Sequence, residues 1–454
     1  MFQKILIGNR GEVAVRIARA ARERKIATVG VCSTADQGAA WLAQMDEVVC
    51  IGGPSPRESY LRLDRIVQAA VQTGATAIHP GWGFLAENAR FAALCEQHGI
   101  TFIGPSPRVM EMMGLKSPAK AAMRAAGLPV IPGSNGLLAD VDEALTVAAR
   151  VGYPLILKAD AGGGGRGMRL CTDDASLRSG YASATAEATA AFGNGALYCE
   201  SYLTGGRHIE VQVLGDRFGR AVHMFERECS VQRNHQKLIE ESPSPALTQD
   251  QREELGARAA TAAASIGYAG AGTVEFLRAA DGRIFFMEMN TRLQVEHPVT
   301  ELVTGLDIVG EQFAIAANRP LRLSQMDVRV RGHAIECRIN AEDPSADFKP
   351  SPGVVSRMDL PLTLGSGTVR VDTHVAAGYE VPPYYDSLIA KVIVHAESRP
   401  AAIETMLRTL RAAKVEGVAT TIPLHLAVLE SPEFARGEYD TRSIPGWKPT
   451  KVRV

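Results

Sequence analysis

From Lys4 to about Gly104, short apolar runs rich in β-branched residues (KILIG, ATVGVCS, EVVCIG, AIHPG, TFIG) alternate with stretches of helical spacing such as Glu12–Arg24. Strands alternating with helices predict a parallel sheet joined by crossover helices. The first strand runs into Gly8-Asn9-Arg10-Gly11-Glu12, which lacks the GxGxxG pattern. The expectation is a Rossmann-like domain without a dinucleotide cradle.

The pattern changes near Gly114. A helix opens at Leu115-Lys116 and runs to Ala126, where Leu128-Pro-Val-Ile-Pro132-Gly133 breaks it. Between Gly133 and about Leu203, the helical stretch Leu177–Phe192 lies between strand-like runs, as in a compact unit able to move as a lid. Strands dominate from His208 to Asn290. A last region from about Arg331 opens with HAIECRI and contains Lys391-Val-Ile-Val-His. The reading is an α/β and α+β multidomain chain: residues 1–113, then 114–330 with a lid at about 133–203, then a mainly antiparallel 331–454.

Composition narrows the function classes. With 49 Lys+Arg against 50 Asp+Glu in 454 residues, the chain has no global basic field for nucleic acid or an anionic membrane. Any phosphate site must be local. Seven cysteines are scattered without a CxxC pair, and no apolar run approaches the roughly 18 residues of a membrane span. With no leader pattern at the N-terminus, the expected location is the cytoplasm.

The candidate chemistry begins with Lys158-Ala-Asp-Ala-Gly162-Gly163-Gly164-Gly165-Arg166-Gly167. Consecutive glycines let backbone N–H groups approach phosphate oxygens, and a lysine on the preceding strand adds a cation at the base of the loop. MRLC afterwards looks like a strand, and GxxxxGK is absent, so this is a flap between strands and not a Walker loop. Lys116 is a second candidate cation.

Asp281-Gly282 reads as a two-residue hairpin turn. Glu275 lies as far before it as Glu288 lies after it, so the turn sets the two glutamates opposite one another. Facing carboxylates cost stability unless a cation lies between them, and their hard oxygens suit Mg²⁺. If the chain stays extended beyond Glu288, then Glu288, Asn290, Arg292, Gln294 and Glu296 share one face. Glu226–Lys237, dense in donors, reads in isolation as an exposed loop, as His208 and His333 read as structural strand histidines. Cys229 and His235 lack a second pair at zinc-ligand spacing.

In this order the segments resemble the biotin carboxylase family of the ATP-grasp superfamily. The resemblance rests on IGNRGEVAVRI, HPGWGFLAEN, KADAGGGGRGMR, RHIEVQVLGD, RECSVQRNHQK, AGTVEFL, MEMNTRLQVEHPVTE, RGHAIECRINAEDP and PPYYDSLIAK, and it covers nearly the whole chain. It implies an ATP-grasp fold with a mobile lid. It also implies that Lys116, Lys158, Gly164, Gly165, Glu200, Ser201, Tyr202, Leu203, His208, Gln232, His235, Glu275 and Glu288 bind ATP, with Glu275, Glu288 and Asn290 holding Mg²⁺ or Mn²⁺. Bicarbonate falls to Lys237, Arg292, Gln294 and the Val295 backbone, with Glu296 as base and Arg338 facing biotin.

The implied reaction is ATP-dependent carboxylation of biotin through carboxyphosphate. The implied partners are a separate biotin carboxyl carrier protein, carboxyltransferase subunits and a second copy of the chain, as in a subunit of acetyl-CoA carboxylase, and so of fatty acid biosynthesis, or of a related acyl-CoA carboxylase. Leu115, Trp82 and Lys349 depart from the family pattern. Another ATP-grasp ligase, forming an acyl- or carbamoyl-phosphate, would share the flap and the metal pair without needing Arg292, Gln294 and Arg338. An idle nucleotide-binding regulatory paralogue should have lost Glu296, Lys237 or a metal ligand.

Overall fold

The computed structural model describes residues 1–160, 167–362 and 367–448. Gly164 and Gly165 lie outside them. The N-terminal strands are β1 (Lys4–Ile7), β2 (Ala27–Ser33), β3 (Glu47–Gly52), β4 (Ala77–His79) and β5 (Thr101–Phe102). They form a parallel sheet in the order β3-β2-β1-β4-β5. Helices α1 (Gly11–Glu23), α2 (Leu63–Thr73) and α3 (Ala89–Gln97) make the crossovers.

The turn after β1 carries an ion pair where a dinucleotide fold would carry phosphate. Arg10 donates to both oxygens of Asp36 at 2.7 Å. Helix α1 buries Val13, Ala14, Ile17 and Ala21 against the sheet, each side chain of Val or Ile size contributing about 1.5–3 kcal/mol. Its Arg16 is also buried and reaches Glu301 at 2.7 Å, tying this domain to the rest of the molecule.

Helices α4 (Pro107–Gly114) and α5 (Lys116–Ala125) lead to a small separate layer. It comprises α6 (Val141–Val151), β6 (Leu155–Ala159), β7 (Arg169–Cys171), α7 (Asp174–Phe192) and β8 (Leu197–Ser201), with strand order β7-β6-β8. Its own core contains Leu155, Leu157, Leu177, Ala184 and Leu197. Strand alternation turns Leu155, Leu157 and Ala159 into that core and Lys158 out of it.

The main framework of the remaining described residues is an antiparallel sheet of eight strands, beside three small two-stranded sheets. It contains β9 (Arg207–Gly215), β10 (Ala221–Arg233), β11 (Gln236–Ser242), β12 (Gly270–Arg278), β13 (Ile284–Asn290) and β14 (His333–Asn340). The order is β13-β12-β9-β10-β11-β14, followed by strands Leu388–Ala396 and Thr368–Thr373. Hydrogen bonding runs unbroken across residue 331, because β14 pairs with β11. Helix α8 (Gln249–Ser265), which the strand-dominated reading passed over, packs on β9 and β10. Its alanine-rich sequence gives a weak amphipathic signal.

Three local expectations need correction. The hairpin at Asp281-Gly282 has a three-residue loop: Gly282 N–H bonds Ala279 C=O, and Ala279 pairs with Arg283. Gly282 takes φ +88°, the left-handed residue such loops require. A bulge at Met287 restores the register, so Glu275 still faces Glu288. Next, β13 ends at Asn290, and residues 291–296 leave the strand to enter α9 (His297–Thr304). Finally, Glu226–Lys237 is not an exposed loop. It forms most of the β10–β11 hairpin, and Asn234 and His235 supply its two positive-φ turn residues.

Several histidines are buried in neutral form, and that sets an acid limit. Burial pushes His79 down to about 3, and His223 and His425 to about 4, from an ordinary 6.5. The unfolded chain therefore binds protons that the native state refuses. Their contribution is complete above about pH 6.5 and is lost as pH falls from there towards 4, by on the order of a few kcal/mol for each histidine. The thermal midpoint should hold between pH 7 and 8 and fall progressively below about 6.5; a flat midpoint down to pH 5 would contradict this.

Candidate active site

Interior strands of the large sheet and the turn before α9 converge on a cluster of buried charges. Lys237, near the start of β11, donates to Glu296 at 2.6 Å, to Glu275 at 3.0 Å and to Glu210. Glu210 and Glu275 sit opposite one another on β9 and β12. Beneath them Arg227, fully buried, bonds Glu210, Gln212 at 2.8 Å, Thr300 at 3.0 Å, Thr273 at 3.1 Å and Gln294 at 2.8 Å. Gln294 passes its amide to Glu275 at 3.0 Å. A guanidinium with every direction used is rigid, and it fixes the carboxylates that hold Lys237.

Glu296 is 2% exposed and lies between Lys237 and Arg338, whose guanidinium donates to its second oxygen at 3.0 Å. Burial alone would raise its pKa, but Lys237, Arg338 and Arg227 hold it well below the ordinary carboxylate range. It is an ionised base in an anion-attracting setting. Arg292 pairs with Glu87 at 2.8 Å and with Asn290 Oδ1 at 2.9 Å. Although the extended strand fails after Asn290, the turn brings Asn290, Arg292, Gln294 and Glu296 to the same cluster.

The carboxylates facing one another across β12 and β13 differ in setting. Glu275 is buried and accepts from Asn290 at 2.8 Å as well as from Lys237 and Gln294. His208, also buried, lies 3.2 Å from its other oxygen. Glu288 is 46% exposed, with Lys116 at 3.5 Å. Two hard oxygen donors in register, one open to the cleft, fit a divalent cation such as Mg²⁺. The Asn290 oxygen is engaged by Arg292.

At the lid base, Lys158 and Lys120 both pair with the buried Glu200. Burial resists ionisation of Glu200, and the two lysines overcome it. Ser201 and Tyr202 spend their amides on Pro132 and Pro154, and Leu203 packs with Ile131, Ala279 and Phe285. Gln232 is half-buried beside Lys237 in register, and His235 is exposed at the hairpin tip. Val295 is buried; its carbonyl accepts from Lys391 at 2.7 Å. The residues that sequence reasoning missed are Glu87, Lys120, Glu210, Arg227, Glu240 and Lys391. Arg227 and Glu210 stood inside quoted motifs, and a charged residue within an apolar strand was the available signal.

The departures from the family pattern have local accounts. Leu115 cannot cap α5, and Asp160 from the end of β6 instead accepts the Ser117 N–H at 2.8 Å. The Trp82 indole donates to Glu12 at 2.9 Å. Lys349 is exposed.

Family models tile the chain. The biotin carboxylase N-terminal domain matches residues 1–110, the carbamoyl-phosphate synthase L chain ATP-binding domain matches 116–324, and the biotin carboxylase C-terminal domain matches 336–445. The chain belongs to the biotin carboxylase family. It is 52% identical over 440 residues to a biotin carboxylase of a Nostoc species, covering 97% of this chain and 98% of that one. A biotin carboxylase from Campylobacter jejuni, solved in complex with a β-γ-ATP ligand, superposes with TM-score 0.93 at 47% identity, over 97% and 98% of the two chains. The biotin carboxylase domain dimer of 2-oxoglutarate carboxylase from Hydrogenobacter thermophilus, holding MgADP, ADP and bicarbonate, superposes with TM-score 0.92 at 49% identity, over 97% of each chain. Family membership accounts for a feature that an ordinary fold would avoid: ionised side chains packed together at the junction of lid, sheet and C-terminal region.

Proposed function

We infer that this biotin carboxylase family member carboxylates biotin with bicarbonate and ATP, giving ADP, phosphate and carboxybiotin. The observation that carries this is Glu296, an ionised base clamped between an ammonium and a guanidinium beside a second guanidinium, Arg292. Bicarbonate is a planar anion with one proton to lose. Arg292, Gln294, Lys237 and the Val295 N–H fix it, and Glu296 takes the proton. The base is weak while both cations hold it. Drawing Lys237 onto bicarbonate and Arg338 onto biotin frees it to accept a proton, so substrate binding switches on the chemistry.

Attack by bicarbonate on the γ-phosphorus of ATP expels ADP and forms carboxyphosphate. Lys116, Lys158, Glu200–Leu203, His208, Gln232, His235 and the glycine flap with Gly164 and Gly165 hold the nucleotide. Glu275 and Glu288, with Asn290 beside them, hold Mg²⁺, which neutralises phosphate charge. Carboxyphosphate breaks down to CO₂ and phosphate beside the ureido ring; the released phosphate takes the ureido N–H proton, and Arg338 stabilises the ureido anion that attacks CO₂ to form the N–C bond. Closure of the lid keeps water from the labile intermediate.

Biotin arrives on a separate carrier protein, and the carboxyl group leaves to a carboxyltransferase. The functional unit is a homodimer in the cytoplasm. Among the described residues no helix is long and apolar enough to cross a membrane.

ADP release from Mg-ATP and bicarbonate should be stimulated by free biotin. Arg338→Ala should lower the biotin-dependent part by about 10²-fold or more while leaving the biotin-independent part within a few-fold. Bicarbonate-dependent turnover that ignores biotin would replace this reading with another ATP-grasp ligase.

A further inference from the structure

Behind Arg338 lie two carboxyl groups that the reaction above does not use. Glu240 on β11 and Glu336 on β14 are directly paired across the antiparallel ladder, so their side chains share one face of the sheet. Both residues are fully buried. Arg338 Nε donates to Glu240 Oε1 at 2.6 Å, while the other oxygen of Glu240 and both oxygens of Glu336 have no hydrogen-bond partner among the described residues. A buried carboxylate without a donor is costly, and two facing carboxylates doubly so.

The surrounding charges decide which group is the anion. On the strand beside β14, Lys391 is register partner to Arg338, but its ammonium is spent on the Val295 carbonyl, on Glu12 of α1 at 3.1 Å and on Asp372 at 3.9 Å. From the turn into α9 come Glu296 and His297, the latter kept neutral by burial and by Lys391, Arg16 and Arg370. Asp372 is itself paired with Arg370. Among the described residues nothing supplies Glu336 with a donor.

We propose that Glu240 and Glu336 share a single proton and together act as the positioning pair for Arg338, holding its guanidinium between the sheet and the base Glu296. Glu336 keeps the proton, and Glu240 carries the charge that anchors Arg338 against the full pull of Glu296. Burial pushes Glu240 up to about 7 despite Arg338, and pushes Glu336 well above the carboxylate range, with Glu240 adding to the shift. As pH falls through neutrality, Glu240 takes a second proton and Arg338 collapses onto Glu296, away from biotin. The inference rests on Arg338 facing biotin, and its test must separate the two claims.

The test measures kcat and KM for free biotin from pH 6 to 9 in the wild type, Arg338→Ala, Glu240→Gln, Glu336→Gln and the double variant E240Q/E336Q. Wild-type kcat/KM for biotin should fall on the acid side with a midpoint near 7. In E240Q the proton of Glu336 must leave before Arg338 regains an anchor, so the fall should move to higher pH, with KM up by about threefold to tenfold. E336Q should keep the midpoint near that of the wild type. The double variant has no anchor left, and its KM should rise about 30-fold or more with the acid fall abolished, well beyond the product of the single effects.

Single effects that simply multiply, with an unmoved pH profile, would overturn the pair. If Arg338→Ala leaves KM for biotin unchanged, the placement of biotin fails instead. Should E240Q not fold, Glu240→Asp keeps the charge but withdraws it by one methylene; it should raise KM with the acid fall still near 7, and an unchanged KM would overturn the inference.

Discussion

Glu296→Gln lowers biotin-dependent ADP release by about two to four powers of ten at saturating ATP. The amide keeps the shape of the side chain and can still accept a hydrogen bond from Lys237 or Arg338, so the loss is one of proton acceptance rather than of packing. Its charge is what Lys237, Arg338 and Arg227 are gathered around. Removing it leaves Lys237 with Glu210 and Glu275, and Arg338 with Glu240. The variant should therefore fold and bind nucleotide, with a KM for ATP within a few-fold of the wild type. Steady-state ADP release with and without bicarbonate checks this, and a residual rate above a tenth of wild type would remove Glu296 as the base.

Arg227→Met costs about 3–5 kcal/mol of stability, the range for stripping the partner from a buried charge. The side chain is fully buried and makes five hydrogen bonds, and its loss leaves the buried Glu210 carboxylate without a donor at Oε1, with Lys237 alone at Oε2. Methionine fills much of the volume, so the effect is electrostatic. Adding Glu210→Gln removes the half-satisfied charge and should recover part of the lost stability but not the activity, since Lys237 then has one anchor fewer. Thermal or denaturant unfolding of the single and double variants checks both halves. A double variant no more stable than Arg227→Met would mean that the cost lies in packing.

The placement of Glu275 opposite Glu288 was reached through a two-residue turn that does not exist. The loop has three residues and Met287 bulges, and the two shifts cancel. Local turn chemistry leaves such offsets open, because a bulge is chosen by what lies on either face of the sheet. Likewise the alternation of Glu288, Asn290, Arg292, Gln294 and Glu296 is not a strand property beyond Asn290. The residues gather because Arg227 grips Gln294 from below and Glu87 grips Arg292 from the N-terminal domain.

Period was enough for the parallel N-terminal sheet and for a small unit of strands and helix after Gly133, and the order of the motifs for the family; the same reading took Glu226–Lys237, the heart of the β10–β11 hairpin, for a loop. Those features depend on nearest neighbours along the chain: alternation, helical spacing, glycine at turns and motif order. The tertiary structure alone decided which charges meet. Lys158 turns to Glu200 with an unforeseen Lys120, Glu87 arrives from another domain, and Glu240 and Glu336 face each other only because β14 joins β11 in one sheet. Coulombic and hydrogen-bond partners are set by distance through space and by exclusion of water. Neither quantity is written in the spacing of residues along a chain.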